Sequence, residues 1–323
     1  MKHRILVMGA GAWGTALALH MARTGAQVYL WARNPARLPS GAMPRLPDFP
    51  LPDSITVSSA PPPADVACAL MVIPTQHMAS VLPLVPVGVP AVLCCKGIER
   101  STLAFPLDML HRLRPDVPGA VLSGPNFARE VAANLPAASV VASANMELAR
   151  KLVDLLSTPR LRLYASADIT GVQLGGAAKN VIAVAAGITI GAGLGENARA
   201  ALITRGLAEI TRLGVALGAQ PATLAGLAGL GDLLLTCTGE ASRNYQMGLA
   251  LGRGNAAQSA LATLPGVAEG VTTADALLAL ARHHKVDVPI TACIAAFLEG
   301  KITLPQAQEQ LLTRPLRTEL DTP

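Results

Sequence analysis

The chain has 323 residues, a net charge of +5, and 51% hydrophobic against 15% charged residues, enough for two domains that each bury a core. Aromatics are only 3%, so Leu, Val, Ile and Ala must build that core, and no basic run with interleaved aromatics marks a nucleic-acid surface. The five cysteines (Cys68, Cys94, Cys95, Cys237, Cys293) form no C-x-x-C pair and no metal-ligand spacing with His, so they read as reduced thiols of a cytosolic protein and no metal is expected.

In chain order, the first strand candidate is Ile5–Met8, and Gly9-Ala10-Gly11-Ala12-Trp13-Gly14 follows at once, opening a helix over Ala12–Arg23. Strand, glycine turn and helix in that order are what a dinucleotide-binding fingerprint requires. Gly9 permits the tight turn, Gly11 lets the backbone approach a pyrophosphate, and Gly14 lets helix pack on strand. The helix N-terminus adds unpaired N–H groups and a partial positive charge. The same glycines argue against reading Met1-Lys2-His3-Arg4 and the apolar stretch behind it as a signal peptide. Gly25 is the expected C-cap and feeds a strand over Val28–Ala32. An acid at the tip of that strand would bind the 2′-hydroxyl of NAD; here stands Arg33, with Arg37 close behind. This favours NADP(H) and leaves NAD(H) open.

Val66 to Cys95 lacks Asp, Glu, Lys and Arg and is long enough to cross a bilayer. Pro74, Pro83, Pro86 and Pro90 cut it into pieces, which read as buried strands over Ala67–Ile73 and Val89–Cys95. Further strands fall at Ala120–Ser123, Ala138–Ala142 and Leu161–Tyr164, with helices at Thr102–Leu113 and Met146–Leu156. Short continuous apolar runs alternating with helices indicate a doubly wound, mostly parallel sheet. From Asp168 the chain turns Ala/Leu-rich, with helices over Asp168–Ile190, Asn197–Leu217, Thr272–His284 and Ile290–Leu298, and breaks at Gly191-Ala192-Gly193 and Gly218. Small residues at many helical positions imply close helix–helix approach. The expected architecture is α/β: a Rossmann-type domain over residues 1–167, then an all-α substrate and catalytic domain over 168–323. No transmembrane segment is expected, and an exposed apolar face on these helices would fit a homodimer.

Four places carry candidate chemistry. Lys96 follows the apolar strand Ala91 to Cys95, and ligands of open α/β sheets bind at the carboxyl ends of strands; a solvent-facing lysine is the plain alternative. Lys179 lies midway along a helix almost free of other charge. An unpaired buried ammonium is costly, so it needs an exit to water or a functional cleft. Burial and a neighbouring cation would both lower its pKa towards the range useful for proton transfer. Asp232 and Ser242-Arg243-Asn244 follow glycine-bearing turns. Arg beside Ser and Asn suits a phosphate clamp, whereas helix capping by Asp232 and Ser242 is the structural reading.

Together these segments resemble the NAD(P)-dependent sn-glycerol-3-phosphate dehydrogenase family over nearly the whole chain. The carrying stretches are Gly9 to Ala16, Lys96-Gly97-Ile98-Glu99, Leu122 to Ala128, Gly176 to Val181, Asn197 to Gly206, Leu230-Gly231-Asp232-Leu233 and Ser242-Arg243-Asn244. The resemblance implies reversible reduction of dihydroxyacetone phosphate to sn-glycerol 3-phosphate, which feeds glycerophospholipid synthesis. It puts the family's catalytic lysine on Lys179, with Lys96 and Asp232 orienting it and the substrate oxygens. Substrate contacts would come from Lys96, Gly124, Asn126, Lys179, Asp232, Ser242, Arg243 and Asn244. Cofactor contacts would come from Gly9, Gly11, Ala12, Trp13, Gly14, Arg33, Lys96, Ala128, Arg243, Val267 and Glu269. Asn126 departs from the serine usual after Gly-Pro, and Pro39–Pro47 lacks the usual Asn and Tyr before Leu-Pro. Two other expectations compete with this one: another Rossmann-plus-helical dehydrogenase of the 3-hydroxyacid or 6-phosphogluconate type, and a protein that senses the dinucleotide without turnover.

Overall fold

The computed structural model describes residues 3–36, 38, 40–256 and 269–312. The strands are β1 (Arg4–Met8), β2 (Gln27–Trp31), β3 (Ile55–Ser58), β4 (Cys68–Met71), β5 (Ala91–Leu93), β6 (Gly119–Ser123), β7 (Ala137–Ala142) and β8 (Leu161–Ser166). They form one sheet in the order β3-β2-β1-β4-β5-β6-β7-β8. Each neighbouring pair is parallel except β6 and β7. Ile5 and Val7 of β1 face one apolar cluster, and Leu6 and Met8 face another. This strand is therefore covered on both sides, as its unbroken apolar run requires.

Helices α1 (Ala12–Arg23), α2 (Met78–Val81), α3 (Pro106–Leu113), α4 (Ala128–Ala132) and α5 (Met146–Leu156) accompany the sheet. Thr102 to Phe105 do not join α3, contrary to the sequence expectation. The Glu99 carboxylate captures the N–H groups of Ser101 and Thr102, Leu103 adopts φ +57°, and Asp108 accepts from the Phe105 N–H one turn before a helix that Pro106 opens. Strand β3 was not expected: Ile-Thr-Val-Ser is short, lies at the sheet edge, and presents no continuous apolar run.

After β8 the chain is helical: α6 (Ile169–Gly191), α7 (Gly195–Ala216), α8 (Pro221–Leu224), a π-helical turn at Leu227–Gly231, α9 (Asp232–Thr238), α10 (Arg243–Gly252), α11 (Glu269–His283), α12 (Pro289–Leu298) and α13 (Leu304–Leu312). The sequence reading placed no helix across 221–252 or 304–312, because the short segments and their glycines blur the helical period. Helix α6 is long and apolar enough to cross a bilayer, yet 89% of its most apolar window is buried within the protein.

Helix α6 is the axis of this half, and α10 runs along it in the same direction. Asn244 meets Asn180, a Cβ on Gly248 would lie 2.0 Å from the Val184 carbonyl oxygen, and one on Gly252 would lie 2.4 Å from that of Ile188. Reciprocally, Gly187 leaves no room for a Cβ, which would lie 2.1 Å from the Tyr245 carbonyl oxygen. Backbone therefore packs on backbone, and any side chain at these glycines must push the helices apart. Gly187→Val should lower stability by about 1–3 kcal/mol, the usual cost of overpacking. Thermal unfolding measures it, and an unchanged midpoint would contradict the close crossing.

Candidate active site

The glycine turn has the geometry a pyrophosphate needs. Gly9 sits at φ +114° and donates its N–H to the Trp31 carbonyl at 2.9 Å. A Cβ there would lie 2.3 Å from the Val72 carbonyl oxygen, and one on Gly14 would lie 1.8 Å from that of Gly9, while one on Gly11 would meet nothing within 4 Å beyond its chain neighbours among the described residues. Gly9 and Gly14 thus close the turn, and Gly11 opens onto free space at the N-terminus of α1, with no side chain capping that end. The residues present fit a dinucleotide. Ala12 and Trp13 begin α1, and the Trp13 indole N–H is buried without a hydrogen-bond partner among the described residues. Arg33 is exposed just past β2, the strand beside β1. Ala128 is the first residue of α4, which is tied to α1 by Arg23 donating to the Val131 carbonyl at 3.1 Å. Val267 lies outside the described residues.

Deeper in, two lysines converge on one carboxylate. Lys96, past the carboxyl end of β5, donates from Nζ to Asp232 Oδ2 at 2.7 Å and to the Gly124 carbonyl at 3.1 Å. Lys179, at mid-α6, donates from Nζ to Asp232 Oδ1 and to Thr236 Oγ1, the latter at 2.9 Å. Asp232 opens α9 directly after the π-helical turn and is 1% exposed; Lys179 is 7% exposed. Thr236, one helical turn on, donates its own proton to the Asp232 carbonyl at 2.6 Å, so its lone pairs are turned to Lys179. Among the described residues each ammonium thus commits two N–H donors to these partners, which leaves a third for a ligand. Burial pushes the Lys179 pKa down to about 8; Asp232 opposes that shift and Lys96 adds to it. An amine in that range, with a free N–H beside a second cation, is equipped to give or take a proton.

Asn180 and Thr236 were not among the expected site residues. Their only sequence signals are adjacency to Lys179 and the four-residue step from Asp232, which puts Thr236 on the same helix face. Asn180 accepts from Asn244 Nδ2 at 2.8 Å, and Asn244 Oδ1 accepts the Gly270 N–H at 2.9 Å. These bonds join α6, α10 and α11 beside the lysines. Glu269 opens α11. Burial raises its carboxyl pKa, against the opposing charges of Arg243, Lys96 and Lys179, so α11 enters the same electrostatic neighbourhood.

Ser242 caps α10, accepting from the Tyr245 N–H at 3.2 Å, which is the structural role its position allowed. Arg243 is exposed on the first turn of that helix, where guanidinium and helix N-terminus offer donors to an anion together. Asn126 is half-buried and gives an amide N–H to Ser139 Oγ at 2.8 Å.

Two family models match the chain: NAD-dependent glycerol-3-phosphate dehydrogenase N-terminus over residues 4–149 and NAD-dependent glycerol-3-phosphate dehydrogenase C-terminus over residues 168–309. The chain is 54% identical over 319 residues to glycerol-3-phosphate dehydrogenase [NAD(P)+] of Gluconobacter oxydans, covering 97% of this chain and 98% of that one. It is 52% identical to the enzyme of the same name from Acidiphilium cryptum, covering 97% of both. Among solved structures, glycerol-3-phosphate dehydrogenase from Coxiella burnetii superposes with a TM-score of 0.92 at 38% identity, covering 97% of this chain and 99% of that one.

The paired lysines make a charge prediction. Lys96→Ala removes a neighbouring positive charge and leaves Asp232 to Lys179 alone, so the Lys179 pKa should rise above about 8. The pH dependence of acylation of that amine reads it directly, and a fall or no change would contradict the coupling.

Proposed function

The chain belongs to the NAD-dependent glycerol-3-phosphate dehydrogenase family, and from that premise we propose how its residues share the work. The activity is reversible reduction of dihydroxyacetone phosphate to sn-glycerol 3-phosphate by an NAD(P)-dependent oxidoreductase. The reading of the site rests on one observation above the rest: two lysine ammonium groups held by a single buried carboxylate.

When bound, the nicotinamide dinucleotide supplies or accepts the hydride. The glycine turn, the N-terminus of α1 and Arg33 would hold its phosphates, and Trp13, Ala128 and Glu269 would lie around it. Lys179 carries the proton. In reduction its ammonium donates to the carbonyl oxygen as the alcohol forms, and in oxidation its amine takes the hydroxyl proton. The third N–H of Lys96 binds the same oxygens and balances charge as it develops. Asp232 and Thr236 fix where the Lys179 amine stands. Arg243, with Asn244 behind it and the N-terminus of α10 beneath, holds the substrate phosphate. Because the Lys179 pKa is about 8, reduction should slow as pH rises past that value and oxidation should quicken. Arg33, where an acid would bind a ribose 2′-hydroxyl, favours NADP(H). The five cysteines are free, which supports a cytosolic setting, where the product feeds glycerophospholipid synthesis.

The direct test is oxidation of NADPH on addition of dihydroxyacetone phosphate. Lys179→Ala should lose about 10²–10⁴-fold in kcat, the usual worth of a positioned general acid, while NADPH binding, followed by its fluorescence, is nearly kept. Retained turnover would sink the assignment. In the same assay Arg33→Ala should raise KM for NADPH and leave that for NADH alone; equal effects on both would count against the 2′-phosphate contact.

A further inference from the structure

The acceptor that holds Lys96 from below is a backbone carbonyl, that of Gly124, and a carbonyl is only as well placed as the chain carrying it. Strands β6 and β7 are the antiparallel pair of the sheet, with Ser123 opposite Val140, so the next step along sets Gly124 over Ser139. There the chain leaves the sheet at φ +151°, and a Cβ on Gly124 would lie 2.8 Å from Ser139 Cα and 2.9 Å from its Oγ. Ser139 is fully buried. Its hydroxyl accepts the Asn126 amide at 2.8 Å, so the segment Gly124-Pro125-Asn126 is fixed at one end by contact and at the other by a hydrogen bond to one serine. Pro125 lies between, and a Cβ on Gly231, the residue before Asp232, would lie 3.6 Å from its ring. The segment therefore touches the lysine–carboxylate group at Lys96, through the Gly124 carbonyl, and Pro125 stands beside the turn that carries Asp232.

We propose that the Asn126–Ser139 hydrogen bond sets the Gly124 carbonyl and through it Lys96, making both side chains positioning residues and Asn126 no direct substrate ligand. Ser139 carries no such role in the sequence reading, where Asn126 is a substrate contact. A buried hydroxyl needs a partner, and the partner Ser139 finds is an asparagine amide thirteen residues away, which ties the loop to the strand. This loop carries a carbonyl hydrogen-bonded to an ammonium of the site. The proposal rests on Lys96 and Lys179 acting as described above.

The test is steady-state kinetics of the full chain with dihydroxyacetone phosphate and NADPH for Ser139→Ala, Asn126→Ala and the double variant, each also made with Lys96→Ala. Each single variant should lower kcat about 10- to 100-fold, as small displacements of reacting groups do, with KM for dihydroxyacetone phosphate nearly unchanged. The double should be no worse than the worse single, since both remove the same bond. With Lys96→Ala neither should cost more. Wild-type kcat in Ser139→Ala, or a raised KM at unchanged kcat in Asn126→Ala, would overturn the relay. If Ser139→Ala fails to fold, Asn126→Ala alone decides by the same split between kcat and KM. A Lys96→Ala as fast as wild type overturns the site reading along with the relay, whereas a slowed but measurable Lys96→Ala beside a silent Ser139→Ala overturns the relay alone.

Discussion

The structure depends on one buried carboxylate. Asp232 holds an ammonium from beyond the carboxyl end of a central strand and another from the central helix, and it is nearly inaccessible to water. A buried charge is expensive unless paired and hydrogen-bonded, and a buried ion pair is seldom the most stabilising way to fill its volume. Three charges in one place make sense where a reaction needs them. The triad also joins the two halves of the chain, because Lys96 follows β5, Lys179 lies on α6, and Asp232 opens α9.

That joining constrains the backbone around it. Helix α6 can deliver Lys179 only by lying against the carboxyl edge of the sheet, and Gly176 makes this fit: a Cβ there would lie 2.6 Å from Ser123 Oγ and 3.4 Å from Lys96 Cγ. On the other side of α6 the glycine crossing with α10 brings Asn244 to Asn180 and the exposed Arg243 to the same end. The small residues that make α6 look featureless in sequence thus set the distances among proton carrier, orienting lysine and phosphate-binding arginine.

Much of the first half was legible because its signals are local. The unbroken apolar run of β1, the glycine turn and the amphipathic pattern of α5, capped by Asn145, each need only a few consecutive residues to be read. Lys179 stood out as a lone charge in an apolar helix. The residues left unread take their meaning from partners far along the chain. Thr236 serves Lys179, Asn180 serves Asn244, and Ser139 serves Asn126. A threonine in a helix or a serine in a strand carries no mark of such a partner. Edge strand β3 and the short elements around the π-helical turn escaped because tertiary contacts, rather than periodicity, set their conformation.

The most direct measurement is the pH dependence of kcat for Asp232→Asn. A neutral amide keeps the shape and removes the charge that raises the Lys179 pKa, leaving Lys96 to repel it unopposed. The predicted result is a kcat lower by about 100-fold or more, as for a misplaced general acid, with the kinetic pKa of Lys179 moved below about 8. Wild-type kcat with an unmoved pH profile would contradict the claim that this carboxylate organises the site.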